Sequence, residues 1–213
     1  LPLIKLLTNP KSGNYNPVLS QNAVEILVNG ETFFPLLLEK LEKATKHIHI
    51  EFYIFENDHI GNQVKEILIR KAQVGVKVRF IYDDFGSQGI RRSFRKELQA
   101  GGVEVYPFNK IILIAFANRI NYRNHRKIVV IDGETSFVGG INISDKYRND
   151  GTNKLYWRDT QIMMIGYGTH LLQRVFLSDW NFCSGDNLSI NSEYFPILPE
   201  HTDRTSQVQI AAS

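Results

Sequence analysis

Between His47 and Tyr106 the chain passes twice from a short apolar run of strand character through an amphipathic run of helical period and back again. This alternation constrains the fold more than any other feature. Strand–helix–strand units lay their strands side by side in one sheet and pack the helices against it. His47 to Phe55 alternates, with Ile48, Ile50, Phe52 and Ile54 on one side. Asn62 to Val74 reads as a helix closed by Gly75, and Val76 to Tyr82 as a second apolar strand ending at Asp83-Asp84. After the loop Phe85 to Gly89, Ile90 to Ala100 forms another helix, ended by Gly101-Gly102, and Val103 to Tyr106 a third strand. Upstream, a helix opens at Glu31 or Thr32 with Pro35 in its first turn and Phe34, Leu37, Leu38 and Leu41 on one face. Downstream, His125 to Ile131 and Thr135 to Val138 flank Asp132-Gly133, a tight-turn pair. Thr160 to Ile165 adds a strand before a helix over Thr169 to Phe182 that carries Leu172, Val175, Phe176 and Trp180. The expected fold class is α/β, with a mixed, largely parallel central sheet flanked by helices.

A chain of 213 residues holds one sizeable domain, and its 43% hydrophobic and 22% charged content is that of a globular protein. Residues 1–22 are expected as a flexible lead-in, residues 23–185 as the domain, and residues 186–213 as a linker followed by a strand that starts at Val208. The one cysteine, Cys183, excludes an internal disulfide, is read as a structural thiol, and leaves no thiolate cluster for a metal. No metal or other cofactor is expected. No run approaches the ~18 apolar residues of a membrane-spanning helix. The net charge of +3 is mild, but its distribution is not: no acidic residue lies between Glu104 and Asp132, while Lys110, Arg119, Arg123, Arg126 and Lys127 do. Such a run suits an anionic substrate, or else forms a solvated basic face.

The basic run ends in His125-Arg126-Lys127-Ile128-Val129-Val130-Ile131-Asp132. Residues i and i+2 of a strand share a face, so His125 and Lys127 reach one site together, a nucleophile or base beside a fixed cation. Asp132 lies off that face by its odd spacing and reads as a positioner or as a turn-former. Gly139-Gly140-Ile141-Asn142 follows the second strand of the hairpin; its glycines allow close backbone approach to a ligand, and the Asn142 amide can donate to a phosphate oxygen.

His-x-Lys-x4-Asp with the trailing Gly-Gly-x-Asn resembles the phospholipase D superfamily. Asn121-Tyr122-Arg123-Asn124-His125-Arg126-Lys127 and the later Tyr156-Trp157-Arg158-Asp159 look like its bacterial cardiolipin synthase branch, and the likeness runs from about Ala23 to Cys183. The resemblance implies a phosphatidyltransferase that makes cardiolipin from two phosphatidylglycerol molecules through a phosphoryl-histidine. It implies His125, Lys127 and Asp132 as the motif, Asp132 ordering its surroundings. Arg119, Arg123, Asn124, Asn142 and Asp159 are candidate contacts to the phosphate or head group; Asp159 matches an acidic position near the catalytic histidine, or else pairs with a surface cation such as Arg158. It further implies a second histidine, supplied by another half of the same chain or by a homodimer mate. None of the other histidines has Lys two residues on, so the chain reads as the first half of a duplicated enzyme. The implied partners are phosphatidylglycerol or another anionic phospholipid and a membrane surface, with nucleic acid disfavoured. The implied location of the natural protein is the bacterial cytoplasmic membrane, this fragment being soluble by itself.

Two alternatives share the motif: a phospholipase D-type phosphodiesterase that hydrolyses lipid or nucleic acid, and a non-catalytic domain that binds anionic lipid. The apolar run Ile111 to Ala117 fits either a buried element or a surface that enters the lipid interface.

Overall fold

The expected alternation is realised, and the sheet extends well past it on one side. The computed structural model describes residues 17–108, 124–151 and 154–211. In chain order its strands are β1 (Leu19–Val28), β2 (His47–Phe52), β3 (Lys77–Asp83), β4 (Glu104–Phe108), β5 (Lys127–Ile131), β6 (Thr135–Gly139), β7 (Thr160–Gly166) and β8 (Ser206–Val208). The helices among the described residues are α1 (Asn29–Glu42), α2 (His59–Gln73), α3 (Arg92–Ala100) and α4 (Gly168–Ser184), with a 3₁₀ turn at Asp145–Tyr147. All eight strands form one sheet in the order β4-β3-β2-β5-β6-β7-β1-β8.

The mixed α/β architecture expected from the sequence is borne out, but the sheet is largely antiparallel where a largely parallel one was expected. Parallel pairing is confined to β2 with β3 and β3 with β4, the strands joined through α2 and α3. Every other neighbouring pair runs antiparallel: β5 and β6 form a hairpin, β7 returns beside β6 after residues 140–159, and β1 lies between β7 and β8. The β5–β6 turn has the backbone the Asp-Gly pair promised, with φ of 56° at Asp132 and 71° at Gly133.

The sheet divides the interior into two layers. Ile48, Ile50 and Phe52 of β2, with Val78, Phe80 and Tyr82 of β3 and Val129 and Ile131 of β5, face α1, α2 and α3 and form the larger core. On the other face α4 lays Leu171, Phe176, Leu177 and Trp180 against Ile81, Tyr194 and Phe195, and Leu172 against Ile128, Val130 and Met164.

Three local expectations are corrected. β1 begins at Leu19, inside the segment read as a flexible lead-in, because its partners β7 and β8 lie far along the chain and its sequence alternates weakly. α1 begins at Asn29, which puts Pro35 in its second turn, and Thr32 Oγ1 donates back to the Val28 carbonyl at 2.8 Å. Residues 186–205 were read as linker, yet Tyr194, Phe195 and Leu198 are buried, and β8 starts two residues before the expected strand.

Candidate active site

One end of the sheet gathers the termini that matter. The N-terminal ends of β5 and β7 meet the C-terminal ends of β1, β2, β3 and β6 there. Lys127 opens β5 opposite Phe52, the last residue of β2. His125 sits two residues earlier, in the segment that leads into the strand, with its side chain exposed. Lys127 is 3% exposed. Its Nζ donates to the His125 carbonyl at 2.8 Å and lies 3.1 Å from His125 Nδ1. An ammonium has only protons to offer, so Nδ1 accepts, and the neutral ring then carries its proton on Nε2.

The electrostatics suit a neutral histidine beside a charged lysine. Burial pushes the His125 imidazole below its usual value, the Lys127 ammonium pushes it further, and Asp83 opposes both. Burial likewise lowers Lys127, to about 8, against the opposing pull of the Asp159 carboxylate. Tyr53 closes one side, its ring centroid 4.5 Å from that of His125 and 5.5 Å from Lys127 Nζ.

Asp159 joins the site through a backbone clamp. Asn29, with φ of 63°, donates its N–H to the Asp159 carbonyl and accepts the Asp159 N–H on Oδ1, each at 2.9 Å. Gly140 packs against the Asp159 carboxylate so closely that a Cβ there would stand 2.0 Å from Oδ1. The Gly139-Gly140 pair thus admits this carboxylate and the Thr160 carbonyl beside the chain. Arg158 donates to the carbonyl of Asp159 at 2.8 Å and to Thr160 Oγ1 at 2.9 Å.

Of the remaining sequence candidates, Asp132 lies away from the site, whereas Asn124 and Asn142 lie beside it with their amides already engaged. Asp132 lies at the opposite end of β5, about 17 Å from Lys127 at ~3.4 Å per residue. Its carboxylate accepts from Thr45 N, Thr45 Oγ1, Lys46 N and His47 N, and so ties the β5–β6 turn to the α1–β2 loop. Asp132 is therefore a brace of the fold and not a reactant. Asn124 was read as a head-group contact, but it is 6% exposed, and its amide donates to the Glu51 carboxyl beneath the site. Asn142, 4% exposed, accepts from Ile54 N at 3.0 Å and donates to the Tyr147 hydroxyl at 3.1 Å. One amide hydrogen of Asn142 is left for a ligand. Arg119, Arg123 and the apolar run Ile111 to Ala117 lie outside the described residues.

Sequence reasoning missed Tyr53, Asn29 and Glu51. Asn29-Gly30 carries a usable signal, since Asn before Gly often adopts positive φ. Glu51 carries another, as the third polar residue on one face of an otherwise apolar strand. Among the described residues no group of acidic, histidine or cysteine side chains is arranged to hold a metal. No helix among them is long and apolar enough to cross a membrane.

Comparison with known proteins finds relatives along most of the chain. Residues 37–163, more than half the chain, match the family described as "Cardiolipin synthase, PLD-like domain". A cardiolipin synthase of Geobacillus sp. (strain WCH70) is 43% identical over 197 residues, covering 92% of this chain and 39% of the relative. The chain thus spans about two fifths of the length of the curated relatives it matches. Among solved structures, the phospholipase D family member Nuc from Salmonella typhimurium matches with a TM-score of 0.58 at 14% identity, over 75% of this chain and 95% of that one. Phosphatidylserine synthase of Haemophilus influenzae matches with a TM-score of 0.60 at 17% identity, over 88% and 42%. At those identities the structural likeness concerns the fold alone.

Proposed function

Since the chain belongs to the family of phospholipase D-like domains found in cardiolipin synthases, we propose that it is the first half of a phosphatidyltransferase that joins two phosphatidylglycerol molecules into cardiolipin. The observation that carries the mechanism is the buried Lys127 ammonium 3.1 Å from the exposed His125 ring. A depressed imidazole pKa keeps His125 unprotonated near neutrality, as a nucleophile requires.

An arriving phosphodiester draws the Lys127 ammonium to its oxygens. That frees Nδ1 to carry the ring proton and leaves the Nε2 lone pair facing phosphorus. The N–P bond forms as the bond from phosphorus to the glycerol oxygen breaks, and the leaving oxygen takes a proton from an imidazolium. Glycerol departs. The hydroxyl of a second phosphatidylglycerol then attacks phosphorus, gives its proton to the second imidazole, and breaks the P–N bond. Lys127 and the free amide hydrogen of Asn142 offset charge on the phosphoryl oxygens in both transition states.

The second histidine belongs to the other half of the enzyme in this reading. Support comes from β1, where Val24, Ile26 and Val28 share one sheet face and stay exposed, Ile26 by 66%, on the strand that leads into the site. An apolar face of this kind suits a protein partner. Membrane attachment of the whole enzyme belongs to the same proposal.

The test uses the full-length protein with phosphatidylglycerol vesicles, cardiolipin and phosphatidic acid being resolved by mass. Cardiolipin with equimolar glycerol is the expected product, and loss of turnover in His125→Ala and Lys127→Ala the expected effect. Phosphatidic acid as the sole product would replace the transferase with a hydrolase. Full turnover in either variant would remove the mechanism.

A further inference from the structure

A cluster of acidic groups lies directly beneath His125, and the proposed chemistry does not use it. Glu51 projects from β2 toward α4, one residue before the cross-strand partner of Lys127, and is 1% exposed. Its carboxyl accepts from the Asn124 amide through Oε1, while Oε2 is buried with no donor beside it. Asp179, 8% exposed on α4, adjoins the Glu51 carboxyl and forms an ion pair with Arg126. Asp83, at the end of β3, accepts the backbone N–H of Asn124 at 3.2 Å. The half-buried Cys183 thiol, also on α4, is pushed up to about 12 by burial and then by Glu51 and Asp179. Both chain neighbours of His125 are therefore anchored in this cluster, Asn124 to Glu51 and Asp83, and Arg126 to Asp179.

Ionised carboxylates only accept hydrogen bonds, so two of them in mutual contact and out of water need a proton between them. We infer that Glu51 is a neutral acid that donates from Oε2 to the Asp179 carboxylate, and that the pair is the positioning unit that sets the backbone on both sides of His125. Burial and then Asp179 raise the Glu51 carboxyl well above the usual range, against Arg126 and Asn124. The groups that face the pair are Cys183 from α4, Arg126 and Asn124 from the segment before β5, and Asp83 beyond Asn124. Through the Lys127 Nζ contact to the His125 carbonyl, a shift of this segment also moves the lysine. Misplacement of reacting groups by about 1 Å costs on the order of a hundredfold in rate.

The inference rests on the transferase reading for its activity readout, and infrared spectroscopy gives an independent one. In the full-length protein, Glu51→Gln keeps the neutral shape and the contact to Asp179. We expect it to retain kcat within about twofold, whereas Glu51→Ala and Asp179→Asn lose about ten- to a hundredfold in kcat with KM little changed. Infrared difference spectra of wild type against Glu51→Gln are expected to show one neutral carboxylic C=O stretch lost. A folded Glu51→Gln protein as impaired as Glu51→Ala, or a folded Glu51→Ala protein with wild-type kcat, overturns the positioning role. Absence of the infrared band overturns the neutral acid. A wild-type enzyme that makes no cardiolipin overturns the transferase reading alone, and the band then decides the state of Glu51.

Discussion

The sequence pattern puts His125 and Lys127 on one strand face, but β5 begins at Lys127, and the two meet because Lys127 Nζ reaches back to the His125 carbonyl and ring. Their environment was not legible in the sequence. Lys127 is buried between Tyr53 and His125, and that burial sets its pKa near 8. The consequence is a pH–rate profile with two limbs. Lys127 acts when charged, so kcat/KM should fall as pH rises through about 8. His125 acts when neutral, so kcat/KM should also fall on the acid side, below the ordinary histidine range. Arg stays protonated throughout, so the residual activity of Lys127→Arg should keep the acid limb and lose the part of the alkaline fall that Lys127 causes, leaving only the part set by the proton-donating imidazolium. An unchanged alkaline limb in that variant would assign it to another group. The other candidate residues show why a motif alone stops short. Asn124 and Asn142 carry the right amides, yet the buried Glu51 carboxyl takes one, and Ile54 and Tyr147 take most of the other. No local pattern announces partners more than seventy positions away, such as Glu51 for Asn124.

Elements bounded by their own sequence were read well, and elements defined by distant partners were not. The helix over Asn62 to Val74 and the β5–β6 hairpin were evident from periodicity and from the Asp-Gly pair. β1 was not, because its exposed Val24, Ile26 and Val28 share a strand with the polar Gln21, Asn22 and Glu25, and its pairing to β7 closes over more than 130 residues. Polar His47, His49 and Glu51 on one face of β2 suggest a solvent-facing strand, yet α4 covers them. Asp132 acts at this scale too. Burial would raise its carboxyl, but the hydrogen bonds from His47, Lys46 and Thr45 outweigh burial and hold it below the usual range. Truncating it leaves three backbone N–H groups of the α1–β2 loop without their acceptor. Asp132→Ala should therefore destabilise the protein by about 2–3 kcal/mol in urea unfolding, with kcat of the folded fraction largely retained. A large loss of kcat at unchanged stability would instead make Asp132 a participant in catalysis.

The whole molecule sets its stability against acid through the α4 layer. His47 and His49 of β2 are fully buried beneath α4, and His170, on α4 itself, is fully buried against the chain after it. His49 stacks on Phe176, with ring centroids 4.6 Å apart, and is bonded to Gln173, while His47 packs edge-on against Tyr194 and His170 against Phe195. Burial dominates their electrostatics and lowers His47 and His170 to about 4, and His49 well below its usual value. A folded-state pKa below the unfolded value of ~6.5 means that the unfolded chain binds protons first as pH falls. The stability these rings allow is thus fully present above about pH 6.5 and is lost progressively between pH 6.5 and 4. A difference of about 2.5 pKa units corresponds to on the order of 3 kcal/mol for each ring. Such a loss, repeated at two or three sites, is comparable with the entire stability of a domain this size. Urea midpoints measured across that range should therefore fall steeply toward pH 4, with a slope that reports more than one proton taken up on unfolding. Replacing His170 by Leu keeps an apolar ring-sized group against Phe195 and removes one titrating site, so the slope should drop by about one proton while the midpoint at pH 7 changes less. An unaltered slope in His170→Leu would show that this ring does not titrate on unfolding and would shift the acid sensitivity to the carboxylates, Asp132 first among them.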